Sequence, residues 1–296
     1  MILVTGGNGF LGAWIIHRLR QDGHKVRVFD LVADPRLLQS VAGSTDGVEW
    51  VTGDIADTAA VLAAAQGTSR IIHLAGVLTP ACAANPIRGA QINLIGTLNV
   101  FEAARALGQD RVVYTSTAGV FGPDDGAIPC PHTHYGAFKL ACEGSARAYW
   151  ADHAIASIGF RPYVVYGPGR EIGSTAGPSL ACRAAAWGEH YTIPYSGSSG
   201  LVYVDDVAAA YAAAATSPFT GAHTLTMAGT TISNEDVIAE IRRTVPDADL
   251  DIAGPALPII AELQPGDIES VLPGLPSTSI TDGLAQTIAY YRQHRR

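Results

Sequence analysis

Met1-Ile2-Leu3-Val4-Thr5-Gly6-Gly7-Asn8-Gly9-Phe10-Leu11-Gly12 opens the chain and decides how the rest is read. An apolar run breaks into glycines, and a helical pattern begins at once, with Phe10, Leu11, Trp14, Ile15, Ile16 and Leu19 on one face. Gly6 would turn the chain tightly out of the strand, Gly9 would let the backbone approach a pyrophosphate, and Gly12 would let the helix lie against the sheet. The helix start would present unpaired N–H groups and a positive dipole end to that anion. A glycine trio alone is a weak signal. Here a strand precedes it, a helix follows, and an acidic residue, Asp30, ends the next apolar strand at 26–29. That context favours a bound dinucleotide over a glycine-rich turn with no ligand.

Outward from this stretch, strands are expected at 48–52, 71–76 and 111–116, alternating with helices at 58–65, 90–107 and 135–152. Residues 31–47 read as a loop with one short amphipathic patch. The alternation predicts right-handed crossovers and a parallel sheet covered on both faces: an α/β, Rossmann-type doubly wound fold. From Arg161 onward prolines break the rhythm. Helices are expected at 203–216, at 237–245 behind the capping box Ser233-Asn234-Glu235-Asp236, and at 282–293. Residues 246–278 carry no clear secondary-structure signal. The expected division is a nucleotide-binding domain of residues 1–166 plus roughly 199–230, and a smaller C-terminal substrate-binding lobe of 167–198 plus roughly 231–296.

Composition narrows the function. Hydrophobic residues make up 48% of the 296 and charged residues 16%, a globular balance. A net charge of −8, with no basic stripe apart from Arg292, Arg295 and Arg296, argues against a nucleic-acid partner. No apolar run is long enough to span a membrane, and with a strand beginning at residue 2 no signal peptide is expected. Cys82, Cys130, Cys142 and Cys182 are dispersed, which predicts reduced thiols in a cytoplasmic protein rather than a disulfide frame or zinc site. His132 and His134 lack a third ligand, so no metal is expected.

Tyr135-Gly136-Ala137-Phe138-Lys139 sets a phenol and an ammonium on one helix face. A phenol is a poor base at neutral pH. A nearby cation, Lys139 together with an oxidised nicotinamide, would lower its pKa. It could then take a proton from a substrate hydroxyl or return one to a carbonyl. Ser116 and Thr117, ending the preceding strand, stand where a hydroxyl donor for the substrate oxygen is needed. Tyr-x-x-x-Lys by itself is common on exposed helices. Its place after a nucleotide turn, an acidic strand end and a Ser/Thr strand end gives it weight.

In these elements the chain resembles the extended short-chain dehydrogenase/reductases of the NAD-dependent epimerase/dehydratase superfamily. The resemblance runs from residue 1 to about 215, through residues 5–12, Gly53-Asp54-Ile55, His73-Leu74-Ala75-Gly76, Asn93 with Gly96-Thr97 and Asn99, residues 114–122, Tyr135 to Lys139, and residues 161–169. It implies Thr117, Tyr135 and Lys139 as catalytic residues, with Lys139 also on the nicotinamide ribose. It implies Gly6, Asn8, Gly9, Phe10, Leu11 and Gly12 around the dinucleotide, and Asp54 with Ile55 at the adenine. Leu74, Ala75, Gly76 and Thr115 would pass beside the cofactor, Pro162 and Val165 would line the nicotinamide face, and Asn93 would support the catalytic helix and a proton relay. A homodimer through the helices at 90–107 and 135–152 is implied as well.

Asp30 would accept hydrogen bonds from a ribose diol and repel a 2′-phosphate, and the next residue, Leu31, is not basic. NAD is therefore favoured over NADP, with Arg36 the residue that could reach across to a phosphate. Relatives acting on nucleotide-linked sugars carry an arginine just before the segment that matches Tyr203-Val204-Asp205-Asp206. Residues 196–206 here contain no basic residue, so a buried diphosphate would be poorly compensated. The expected partner is instead a small polar substrate, a hydroxy acid, amino alcohol or sugar acid, held by Ser116, Thr117, Ala118 and Tyr135. Ser174 and Thr175 could add hydroxyls, and Arg170 could pair with an acid. The expected function is an NAD-dependent oxidoreductase interconverting a secondary alcohol and a ketone. The alternatives are a nucleotide-sugar 4-epimerase with tightly bound NAD and a non-catalytic NAD(P)-sensing protein, which would not need both Tyr135 and Lys139. Sequence names neither the substrate nor the direction.

Overall fold

The computed structural model of the chain describes residues 1–123, 128–257, 262–264 and 266–295. Arg296 of the terminal basic group, and residues 258–261 and 265 of the stretch without a clear signal, lie outside them. In chain order the strands are β1 (Ile2–Thr5), β2 (Val26–Asp30), β3 (Val48–Thr52), β4 (Arg70–His73), β5 (Arg111–Thr115), β6 (Ala156–Pro162), β7 (Val164–Tyr166), β8 (Tyr191–Ile193), β9 (Ser198–Tyr203), β10 (Ala222–Met227), β11 (Thr230–Ser233) and β12 (Leu250–Ile252). The helices are α1 (Phe10–Gln21), α2 (Arg36–Ala42), α3 (Thr58–Ala65), α4 (Thr79–Ala84), α5 (Pro86–Ala90), α6 (Gly96–Ala106), α7 (His134–His153), α8 (Gly177–Trp187), α9 (Val204–Thr216), α10 (Asn234–Thr244), α11 (Ile268–Val271) and α12 (Ile280–Gln293).

The central sheet runs β10-β6-β5-β4-β1-β2-β3, with every neighbouring pair parallel. Strand order reverses at β1, the switch point beyond whose carboxyl edge such sheets bind ligands. Thr5 registers with Phe29 on one side and His73 on the other, so Gly6, Asp30 and Leu74 all leave the sheet along one edge. Both faces of β1 are buried. Ile2 and Val4 belong with Ile15, Ile16 and Leu19 of α1, whereas Leu3 faces Val61, Val100, Phe101 and Cys142. Double coverage is why these strands read as continuous apolar runs rather than alternating ones. Two small sheets, β11-β9-β7 and β12-β8, accompany α8, α10 and α12, which pack on one another.

Three local readings change. The segment 31–47 is not all loop, because its amphipathic patch is α2, with Leu38 buried against the α1 side of the core. The helix expected at 90–107 is α5, one π-helical turn at Gln91–Ile95, and α6. A π turn re-aims side chains relative to a regular helix, and here it carries the wholly buried Asn93. Residues 246–278 supply β12, which pairs with β8, and the short α11. Among the described residues no helix is long and apolar enough to cross a membrane.

Candidate active site

Two clefts, of about 450 Å³ and about 410 Å³, share Gly6, Gly9, Leu74 and Gly76 along the carboxyl edge of the sheet. Every site residue expected from sequence lines one or the other, except the buried Asn93. The larger holds Phe10, Leu11, Gly12, Thr115, Ser116, Thr117, Ala118, Tyr135, Lys139, Pro162, Val165, Arg170, Ser174 and Thr175. The smaller holds Asn8, Asp30, Asp54, Ile55 and Ala75.

The Tyr135 helix reaches the end of β5 because a glycine lets it. A Cβ on Gly136 would sit 2.3 Å from the Gly119 carbonyl oxygen, so only glycine permits that approach. Thr133 caps the helix, its Oγ1 accepting from the Gly136 N–H at 3.0 Å. Thr117 Oγ1 accepts from the Gly119 N–H at 3.0 Å and also hydrogen-bonds Tyr135. Lys139 is 2% exposed, lies with Nζ 5.9 Å from the Tyr135 ring centroid, and donates to the Thr115 carbonyl at 2.7 Å.

The expected lowering of the Tyr135 pKa is not produced by the chain's own groups. Burial pushes the phenol up to about 12, and the Thr117 hydrogen bond pulls in the opposite direction. Burial also lowers Lys139, with the nearby Cys142 and Cys82 thiols opposing it. The second cation of the expectation, an oxidised nicotinamide, is not a group of the chain, and desolvation outweighs what remains.

Ser116 lines the larger cleft with its hydroxyl already engaged. Its hydroxyl is buried and donates to Glu143 Oε1 at 2.5 Å, while Arg161 grips both oxygens of the same carboxylate at 2.8 and 2.5 Å. Thr117, the neighbouring hydroxyl, lines the cleft and hydrogen-bonds Tyr135 instead. Glu143 was not foreseen, because it sits 27 residues from Ser116 and only the fold joins them.

Behind the Tyr135–Lys139 pair, His73 is fixed as a neutral ring. Its Nδ1 lies 2.7 Å from Thr5 Oγ1 and its Nε2 3.0 Å from Thr97 Oγ1. Thr97 spends its own proton on the Asn93 carbonyl, so Nε2 must be the donor and Nδ1 accepts from Thr5. Burial, with Lys139 adding to it, lowers the ring's pKa from 6.5 to about 3. Between those values the unfolded chain binds a proton that the fold does not. Stability present above pH 6.5 is therefore lost as pH falls from there toward about pH 3. Urea midpoints measured from pH 7 to pH 4 should fall less steeply in His73→Gln; equal slopes in the two proteins would contradict the assignment.

At the smaller cleft, Asp30 is held at the rim by the backbone N–H groups of Asn8 (3.0 Å) and Leu31 (2.8 Å). Each carboxylate oxygen keeps room for a further donor. Asn8 Oδ1 is enclosed and has no partner among the described residues, an acceptor for a donor at the same end. Gly6, at φ +71, packs against the Ala75 backbone, where a Cβ would lie 2.6 Å from Ala75 N. These features fit an adenosine ribose on Asp30 and a pyrophosphate at the start of α1. Asp54 accepts from the Ala56 N–H at 2.9 Å and pairs with Arg88 at 2.5 Å, which together hold its carboxyl below the usual range. Arg36 pairs with Asp34 at 2.6 Å. Sequence reasoning missed Arg88, Leu78 and Leu257, which line the clefts from separate segments without a local motif.

Residues 2–228 match the family described as NAD dependent epimerase/dehydratase. A 2-alkyl-3-oxoalkanoate reductase of Stenotrophomonas maltophilia is 34% identical over 71% of this chain, and the match spans 63% of that protein. A UDP-glucose 4-epimerase of Mycolicibacterium smegmatis is 29% identical over 98% of each chain. The solved structure of the Thermus thermophilus UDP-glucose 4-epimerase in complex with NAD shares the fold, with a TM-score of 0.84 at 24% identity over 98% of each chain. The chain belongs to the NAD dependent epimerase/dehydratase family, a family of NAD-dependent enzymes.

Proposed function

We propose that this protein interconverts a secondary alcohol and a ketone on a small substrate, with Tyr135 as acid/base. The observation that carries the reading is the convergence of Tyr135, Thr117 and Lys139 at the mouth of the switch-point cleft. NAD, when bound, supplies the hydride acceptor or donor. Gly6, Gly9 and the first N–H groups of α1 would hold its pyrophosphate, and Asp30 its adenosine ribose. Thr117 would hydrogen-bond the substrate oxygen and Tyr135 would take or return its proton, while Lys139 would bind the nicotinamide ribose and favour the phenolate. Ser174 and Thr175 would contact substrate beside Arg170. Residues 1–166 with roughly 199–230 would form the nucleotide domain and the remainder the substrate lobe.

A nucleotide-sugar epimerase is the second reading, supported by the full-length match to UDP-glucose 4-epimerase. Against it, Lys139 and Arg170 are the only Lys or Arg side chains lining the larger cleft among the described residues, and Lys139 is the one assigned above to the nicotinamide ribose. Net accumulation of NADH absorbance with a free alcohol supports the dehydrogenase; substrate interconversion without it supports the epimerase. A homodimer through α6 and α7 is part of the proposal, in keeping with the exposed Trp150 of α7 and Ile95 beside α6. Sedimentation at micromolar concentration should give a dimer, and a monomer alone would exclude it. The four free cysteines support a cytoplasmic location, which cell fractionation checks.

A further inference from the structure

The geometry points to a substrate that carries one carboxylate, bound by Arg170, on an otherwise apolar body: a hydroxy or oxo acid with a hydrocarbon chain rather than an amino alcohol, a polyol or a nucleotide-linked sugar. This rests on the dehydrogenase reading above and names its substrate class.

Arg170 follows β7 closely and turns into the larger cleft. Its guanidinium carbon lies 5.7 Å from the Phe10 ring centroid, and one terminal nitrogen donates to Thr175 Oγ1 at 2.8 Å. Nε is enclosed and has no acceptor among the described residues. Arg18, Arg27, Arg88 and Arg161 each pair with a carboxylate, whereas no ion pair to Arg170 occurs among the described residues. The ionisable groups acting on it are two phenols, Tyr195 and Tyr135, which are uncharged near neutrality. The Tyr163 hydroxyl is itself enclosed and without a hydrogen-bond partner among the described residues. A half-buried guanidinium whose Nε is enclosed and which faces neutral groups favours an arriving anion, and its planar fork suits a carboxylate.

The rest of the substrate end is mainly apolar, with Thr79, His132, Thr133, Ser174 and Thr175 its polar members. Leu78, Phe121, Pro123, Tyr163 and Leu257 wall the cleft beyond Thr117 and Tyr135. At the rim Leu78 is 52% exposed, and Ile172, next to Gly173, is 88% exposed. Gly173 brings this rim against Arg170: a Cβ there would lie 3.5 Å from the guanidinium and 3.9 Å from Leu78 Cδ1. One free cation beside an apolar wall matches one negative charge on a hydrocarbon frame. A polyol would leave that wall facing hydroxyls, and a diphosphate would need a second cation. In the oxidation, bound NAD would accept the carbinol hydride, the deprotonated Tyr135 phenol would take the hydroxyl proton, and the carboxylate would be unchanged.

Because Phe10 starts α1, the same guanidinium could instead meet the pyrophosphate of the cofactor, and the experiment separates the two anions. Wild type, Arg170→Lys and Arg170→Met are assayed for NADH formation with 3-hydroxybutyrate, 3-hydroxyoctanoate, 2-hydroxyoctanoate, their methyl esters, 2-octanol, threonine and gluconate. NAD affinity is measured by calorimetry on each protein. The expected result is that wild type favours an octanoate acid over its ester by about 100-fold in kcat/KM. That ratio should collapse toward one in Arg170→Met, stay intermediate in Arg170→Lys, and leave NAD affinity unchanged throughout. A ratio near one in wild type, or a preference for threonine or gluconate, overturns the substrate class while the dehydrogenase reading stands. Weakened NAD binding in Arg170→Met with acid and ester equally affected assigns the guanidinium to the cofactor and overturns the proposal. No NADH from any compound, with NAD still bound, fells the dehydrogenase reading and this inference with it.

Discussion

Tyr135→Phe is expected to lower kcat for alcohol oxidation by about 10²- to 10⁴-fold while leaving the NAD dissociation constant nearly unchanged. The substitution removes one hydroxyl and keeps the ring, so the packing of α7 and its Gly136 approach to Gly119 should persist. What is lost is the group that hydrogen-bonds Thr117 and, in the proposed reaction, would exchange the substrate proton. Oxidation requires the deprotonated phenol, and burial raises its pKa to about 12 in the chain itself. Wild-type oxidation should therefore accelerate as pH rises and ketone reduction should slow. The residual activity of Tyr135→Phe should lose that dependence. A variant that kept both its rate and its pH profile would place the proton transfer elsewhere.

The second large effect belongs to Glu143, whose side chain is wholly buried against an Arg161 side chain that is 13% exposed. Glu143→Leu would leave the guanidinium without its carboxylate and the Ser116 hydroxyl without its acceptor. Removing one partner of a buried ion pair costs about 3–5 kcal/mol, far more than an exposed pair is worth. The double variant Glu143→Leu/Arg161→Met should recover much of that loss, because no charge is then stranded. Urea unfolding of the two single variants and the double variant gives the coupling directly. A single-variant cost below about 1 kcal/mol, or strict additivity in the cycle, would mean that the pair does not hold the end of β5 in place.

How much of this was legible in the sequence follows from how local each feature is. The opening turn, Asp30, and the Tyr135–Lys139 helix face are written in consecutive or helically spaced residues, and the structure sets them along one sheet edge. The seven-residue α2 was too short to display a helical period, so its patch read as loop. The π turn at Gln91–Ile95 keeps helical spacing on either side and leaves no compositional mark. The β12 strand is three residues long and is stabilised by β8, which lies far away in sequence. The chemistry was obscured in the same way. Whether Ser116 faces substrate or Glu143, and whether burial or a cation governs Tyr135, depends on neighbours that only the folded chain supplies.

The central claim is that the turn after β1, with Asp30, holds an adenine dinucleotide against Tyr135. Calorimetric titration of the purified chain with NAD, and separately with NADP, tests it most directly. Saturable heat with NAD at one site per chain is predicted, with NADP much weaker because its 2′-phosphate would meet the Asp30 carboxylate. No heat with either dinucleotide would contradict the account.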